Sequence, residues 1–137
     1  MKTRNGYKTY PLTAAQKFHF YYMNYCPKKE VVNVGTSLTI AYELDTNVLK
    51  QAIYKAYERC EAMRLRFAYD EQEEQWYQYV VDKEERDIEY VDFSEKTMEE
   101  AEKMMREWTV VPFKREDSPM NRLVMIKTPD GLLLLYV

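Results

Sequence analysis

The chain holds a single histidine, His19, the side chain on which general acid–base catalysis near neutral pH most often relies. It lies beside Ala15, Phe18 and Tyr22, which recur at helical spacing, so it reads as a partly buried helix histidine. An enzyme built on His19 and a nearby carboxylate is a formal possibility. A serine–histidine arrangement would need Ser37, Ser94 or Ser118, and none has the glycine-flanked spacing of a nucleophile elbow. Cys26 and Cys60 lack metal-ligand spacing and suggest no disulfide framework. Cys60 falls in the apolar stripe of a helix, which makes it a core thiol rather than a nucleophile. Carboxylates are plentiful but occur in runs such as Glu71, Glu73 and Glu74, the pattern of a solvated surface. There is no glycine-rich phosphate loop and no His/Cys/Asp cluster, so no metal is expected.

The elements that must carry these residues are legible from periodicity and capping. Thr13 and Gln16 form the capping-box pattern for a helix running to about Tyr25, which Pro27 stops. Val31 to Leu44 is rich in Val, Thr, Ile and Tyr around Gly35 and reads as one long strand or two short ones. Asp45 is a suitable N-cap for a second helix to about Met63, with a stripe of Leu49, Ala52, Ile53, Ala56, Cys60 and Met63. Leu65–Tyr69 and Trp76–Val81 read as strands joined by the acidic tip 70–75, and Ile88–Phe93 as a half-exposed strand. Thr97 and Glu100 cap a third helix that carries Met98, Ala101, Met105 and Trp108 on one face. Leu123–Lys127 and Leu132–Val137 close as a hairpin around Pro129-Asp130-Gly131. The unbroken apolar run of the last segment suits a strand covered on both faces. With no repeat, linker or low-complexity tract, residues 1–137 read as one α+β domain: a mixed β-sheet with about three helices.

Composition narrows the function classes. At 137 residues, 46% hydrophobic and 31% charged, the chain is globular and large enough for one core. The net charge of −3 is interspersed, and Lys2, Arg4 and Lys8 are too dispersed to make a basic face; they read as a solvated tail. Nucleic acid is therefore not an expected partner. No apolar run reaches membrane-spanning length and no signal peptide is visible, so no membrane role and a cytoplasmic location are expected. Thirteen tyrosines fit large mixed cores and also ligand or protein interfaces.

Three segments carry a family resemblance. Tyr10-Pro11-Leu12-Thr13-Ala14-Ala15-Gln16 resembles the S-x-A-Q opening motif of condensation domains. Arg59-Cys60-Glu61-Ala62-Met63-Arg64-Leu65-Arg66-Phe67 resembles their R-H-E-x-L-R-T-x-F motif, with Cys60 in place of the usual histidine and Leu65 in place of threonine. Pro112-Phe113 followed by Pro119-Met120-Asn121-Arg122 resembles the P-F…P-L-x-R segment before the active-site hairpin. The resemblance implies one lobe, the N-terminal one, of a chloramphenicol-acetyltransferase-like fold. Such enzymes move an acyl group from a coenzyme A or carrier-protein (phosphopantetheine) thioester to an amine, hydroxyl or thiol, as in nonribosomal peptide synthesis.

In that family catalysis rests on H-H-x-x-x-D-G, which follows the strand that Leu132–Val137 resembles. The sequence reaches Val137 without it, so no catalytic residue is expected here, and the chain alone is expected to be an inactive fragment. His19 matches an apolar position of the first motif and does not stand in for the base. Arg59, Glu61 and Arg64 are implied as structural or channel-lining positions, with Arg64 nearest the active site; a bare surface ion pair of Arg59 and Glu61 is the alternative. No cofactor of the chain's own is implied. The implied partners are a C-terminal lobe or a second copy of the chain, with acyl-CoA or a carrier protein in the complete enzyme. Exposed apolar surface on the first helix or along the edge of Leu132–Val137 is expected, and with it an oligomer. The alternative function is a non-catalytic module that retains one lobe and binds a small ligand or protein through its tyrosines.

Overall fold

The computed structural model describes residues 2–84 and 86–137. Their contacts cluster into two compact units, Met1–Val32 with Tyr57–Glu84 and Pro112–Met120, and Asn33–Ala56 with Glu85–Val111 and Asn121–Val137. Each strand of the chain passes between them more than once, which is why the sequence shows no linker.

The first unit opens on a two-residue-strand hairpin, β1 (Thr3–Arg4) and β2 (Tyr7–Lys8), turned by Asn5 and Gly6 at φ 52° and 84°. Asparagine and glycine tolerate that left-handed backbone, and the turn fits the right-handed twist of the strands. Next, β3 (Tyr10–Pro11) edges a three-stranded antiparallel sheet of order β3-β6-β5, with β5 Leu65–Asp70 and β6 Gln75–Val80. The acidic tip between β5 and β6 is a turn, as its composition predicts.

Helix α1 (Ala14–Tyr25) has both halves of the expected capping box, Thr13 Oγ1 accepting from the Gln16 amide and Gln16 Oε1 from the Thr13 amide. Its inward face differs from the expected one. Phe20 is the buried residue, packed against Phe67 and Trp76 with ring centroids 4.9 Å away in each case, whereas Ala15, Phe18, His19 and Tyr22 are exposed. The helix carries aromatic rings all round, so periodicity could not choose the face; the Phe67–Trp76 notch on the sheet does. His19 is therefore a surface residue and not the partly buried one expected.

The second unit is built on a four-stranded mixed sheet of order β4-β9-β8-β7. Its strands are β4 (Ser37–Ile40), β7 (Glu89–Asp92), β8 (Val124–Lys127) and β9 (Leu133–Tyr136). β7 and β8 are parallel and enclose helix α3 (Met98–Thr109), since parallel neighbours need a crossover. α3 is capped by Thr97 and Glu100 as expected, and Ala101, Met104, Met105 and Trp108 join Phe93, Val124, Ile126, Leu134 and Tyr136 in the core. β8 and β9 form the expected hairpin, with Gly131 at φ 83° in its turn. β9 lies between β4 and β8, so it offers no free edge, contrary to one of the two surfaces expected to be open.

The β-rich stretch Val31–Leu44 yields only β4, after a 3-10 turn at Lys29–Val32. Asn33 Nδ2 donates to the carbonyls of Thr109 and Val111, both at 2.9 Å, which draws residues 33–35 onto the end of α3 and out of the sheet. Gly35 permits that approach: a Cβ there would lie 2.6 Å from Thr109 Oγ1. That oxygen is held by Met105 O and the Tyr136 hydroxyl, at 3.0 and 2.8 Å.

Helix α2 (Thr46–Arg59) starts at Asp45 as expected, with Asp45 Oδ1 accepting from the Asn47 amide at 2.7 Å. It ends sooner than expected, and a 3-10 turn at Glu61–Arg64 follows. Ile53 and Tyr57 are buried, but Ala52, Ala56 and Cys60 are exposed. The large Tyr57 ring displaces the stripe from the small-residue side, so Cys60 is an exposed thiol and not the core residue expected.

Gly35→Ala should lower stability by about 1–3 kcal/mol, the cost of forcing a side chain into a packed contact. Chemical denaturation reads this directly, and an unchanged midpoint would mean that Thr109 moves freely.

Candidate functional site

The residues singled out by the second motif lie at the passage from α2 to β5. Arg59 and Glu61 are exposed, and neither has a side-chain ion pair among the described residues. Arg64 behaves differently. It is 9% exposed, and its guanidinium faces no carboxylate among the described residues. Instead Nε donates to Tyr57 O at 2.8 Å, Nη2 to Glu58 O at 3.3 Å, and Nη1 to Asp82 O at 3.0 Å and to Val81 O. Two of these carbonyls belong to the last turn of α2, where helix carbonyls lack internal partners and the macrodipole is negative. The others end the segment after β6, and the Val81 amide returns a bond to Arg64 O at 3.2 Å. Arg64 thus ties a helix end to a strand end through main chain alone.

Two residues along, Arg66 forms an ion pair with Glu84 (Nη2 to Oε2, 2.7 Å) whose side chains are 7% and 4% exposed. The sequence signal was present, an arginine inside the strand Leu65–Tyr69, but its partner lies in a charged stretch with no periodicity to mark it. A second cluster joins Arg4 to Asp117 and Glu116. Arg4 Nη2 lies 2.5 Å from Asp117 Oδ2 and 2.8 Å from Glu116 Oε1, and the Tyr79 hydroxyl donates to Asp117 Oδ1 at 2.8 Å. Arg4 is therefore a structural cation and not part of a solvated tail. Its guanidinium bond to Asp117 holds that carboxyl below its ordinary range, opposed by burial and aided by Tyr79. Burial, and then the bond to Asp117, pushes the Tyr79 phenol up to about 12.

The first motif places Gln16 at the start of α1, where its Nε2 donates to Gln78 Oε1 at 2.7 Å while Gln78 Nε2 donates to Pro11 O at 2.9 Å. The motif's glutamine thus closes a loop of hydrogen bonds between α1, β3 and β6. In the other unit, the strand after which a catalytic signature is expected, β9, is bound at its end by reciprocal bonds between Thr36 and Val137 at 2.8 and 2.9 Å. A shallow groove of about 420 Å³ lies beside Tyr42, Tyr90, Lys127 and Leu133. Among the described residues no group of three His, Cys, Asp or Glu could hold a metal, and no helix is long and apolar enough to cross a membrane. His19 faces the Phe18 ring at 6.1 Å between centroids and has no carboxylate partner among the described residues.

A helix on a small antiparallel sheet, a β-α-β crossover and a terminal hairpin define a condensation-type lobe. The condensation domain family model matches residues 7–137, and the chain belongs to that family. Among solved structures it is similar to the starter condensation domain of the rhizomide synthetase RzmA, at TM-score 0.82 and 18% identity over 94% of this chain and 31% of that one. It is also similar to the first condensation domain of the calcium-dependent antibiotic synthetase (TM-score 0.80, 20% identity, 93% of this chain and 32% of that one). A third is the condensation domain of the Monacolin K polyketide synthase MokA (TM-score 0.78, 15% identity, 93% and 29%). The chain thus spans about a third of the structures it matches. No curated protein sequence matches it.

Glu84→Gln should cost about 3–5 kcal/mol by leaving the Arg66 charge buried without its counter-ion, and an added Arg66→Met should recover much of the loss. A double-mutant cycle in urea measures the coupling, and additive losses would show that the two side chains act independently.

The Asp117 cluster gives two pH limbs. Asp117 is depressed in the folded state, so its contribution is present above the ordinary aspartate range and fades as pH falls through the lowered value. Tyr79 is raised, so its contribution is full below 10.0 and fades as pH rises towards about 12. Tyr79→Phe should flatten the alkaline limb and leave the Arg4-dependent part of the acid limb in place, read as denaturation midpoint against pH.

Proposed function

We propose that this chain is the N-terminal lobe of an acyl-transferring condensation domain and holds none of the catalytic residues itself. The family match across residues 7–137 carries the reading. In the complete domain the donor is an acyl-CoA or a carrier-protein thioester and the acceptor an amine, hydroxyl or thiol, as in nonribosomal peptide synthesis. One of the related structures, the RzmA starter domain, is known in complex with C8-CoA.

Acyl transfer from a thioester needs a base within hydrogen-bond reach of the attacking group, held in one orientation. His19 is the chain's sole histidine, and it is exposed without an orienting carboxylate among the described residues. The H-H-x-x-x-D-G signature is not within the 137 residues. Arg64 acts as an internal post of the lobe, because its donors are spent on main-chain carbonyls. Arg59 and Glu61, being exposed, are the positions of the motif free to face a substrate channel.

A non-catalytic binding module is the second reading, and one observation favours it: Phe18, Tyr21, Tyr22 and Tyr25 of α1 are all exposed, at 46–72%. Reading the encoding gene beyond the Val137 codon separates the two. The expected outcome is an open frame entering H-H-x-x-x-D-G at once and continuing into a second lobe. A stop codon there would sink the transferase reading and leave binding. The purified chain should show no acyl transfer from C8-CoA to amino-acid thioesters. Turnover that disappears in His19→Ala would overturn the assignment of an inactive lobe.

A further inference from the structure

The sheets have several edges, and all but one are blunted. β1 and β2 are two residues long and carry Arg4 and Lys8. β3 ends in Pro11, which has no amide hydrogen to offer. β5 is bridged by Phe67 to Glu116, and the Asp117 amide donates to Phe67 O at 2.8 Å. β7 bears Glu89 and Asp92, so two copies of it laid antiparallel would set carboxylate against carboxylate.

β4 has none of these protections. From Val31 to Tyr42 the chain carries no charged residue, and β4 itself has neither proline nor lysine. Ser37, Leu38 and Thr39 are exposed, Leu38 at 63%. The ladder fixes which groups are free. Thr36 and Val137 exchange both their bonds. Antiparallel pairs alternate, so Leu38 and Ile40 also direct N–H and C=O towards β9. Ser37 and Thr39 then turn theirs outward, where no main-chain partner meets them among the described residues.

We propose that the β4 edge is an interaction surface for a second copy of this chain, two β4 strands pairing antiparallel about a two-fold axis at Leu38. The register satisfies every outward group. Ser37 exchanges bonds with Thr39 of the copy, and Thr39 with its Ser37. Leu38 faces its own copy at the non-hydrogen-bonded site, where side chains approach most closely and the exposed leucine is covered. The absence of charge across residues 31–42 selects a second copy over a charged partner strand: self-pairing brings no like charges together, and a charged strand would find no counter-charge. The two four-stranded sheets would become one of eight.

Sedimentation of the whole chain over a concentration series should show a monomer–dimer equilibrium. Leu38→Lys puts two like charges at the axis and should raise the dissociation constant at least about tenfold. Thr39→Pro removes an outward N–H while sparing those that face β9, and should also give monomer. Amide exchange reads the contact itself. Ser37 and Thr39 should gain protection as concentration rises, while Leu38 and Ile40 stay protected throughout. A chain that remains monomeric at every concentration overturns the proposal, as does a dimer that survives both substitutions. Loss of the dimer in Phe18→Ser instead would place the contact on α1 and equally overturn it.

Discussion

The passage from α2 into the three-stranded sheet depends on one buried cation. Arg64 is out of water, and a guanidinium so placed must be paired or fully hydrogen-bonded to be tolerated. Here main-chain carbonyls take that role, at the end of α2 and at the end of the segment leaving β6. A lysine would bring a point charge and three donors; the planar fork of arginine reaches two separate segments at once. Because Arg64 immediately precedes β5 and its own carbonyl accepts from Val81, the same residue sets where the β5–β6 ladder begins. Leu65 then pairs with Val80, and every later pair down to Asp70 with Gln75 follows from that start.

The two compact units are held by different physics. The first spends charge: the buried Arg66–Glu84 pair and the Arg4–Asp117–Tyr79 cluster both join segments distant in sequence. The second closes over an apolar core in which Phe93, Val124 and Ile126 are almost wholly buried. Ion pairs fix geometry through direction and apolar cores through volume. Titration outside the neutral range therefore acts first on the first unit. The direction is set by Asp117 at low pH and by Tyr79 at high pH.

What the sequence disclosed follows the same division. Caps were readable because they are local: Thr13 with Gln16 and Thr97 with Glu100 form their boxes within one turn. The β8–β9 hairpin and the β5–β6 tip were equally local. Faces were not readable where more than one was apolar. Phe20 was missed because α1 carries rings on every side, and Cys60 was misplaced because Tyr57 outweighs the alanines of α2. Arg4 was taken for tail because its partners lie more than a hundred positions away. The motif residues Arg59, Glu61 and Arg64 were found by resemblance, yet their different surroundings, two in solvent and one sealed in carbonyls, needed coordinates.

A lobe with so many ionisable groups and no candidate catalyst is consistent with its own electrostatics. A general base needs a proton-accepting atom that is free, oriented and near neutral in pKa. The arginines cannot deprotonate at any working pH, and the one that is buried without a counter-ion has its donors committed to main chain. Glu84 is neutralised by Arg66, and Asp117 is held ionised by Arg4, which makes it a weaker base than an ordinary aspartate. Tyr79, at about 12, is locked as a donor. Each of these side chains is fixed by a partner that removes it from proton transfer. His19 is free of such a partner but has nothing to orient it. The interactions that hold the lobe together are thus the ones that make it chemically inert, and what it contributes to a reaction is the placement of β9 and the elements around it.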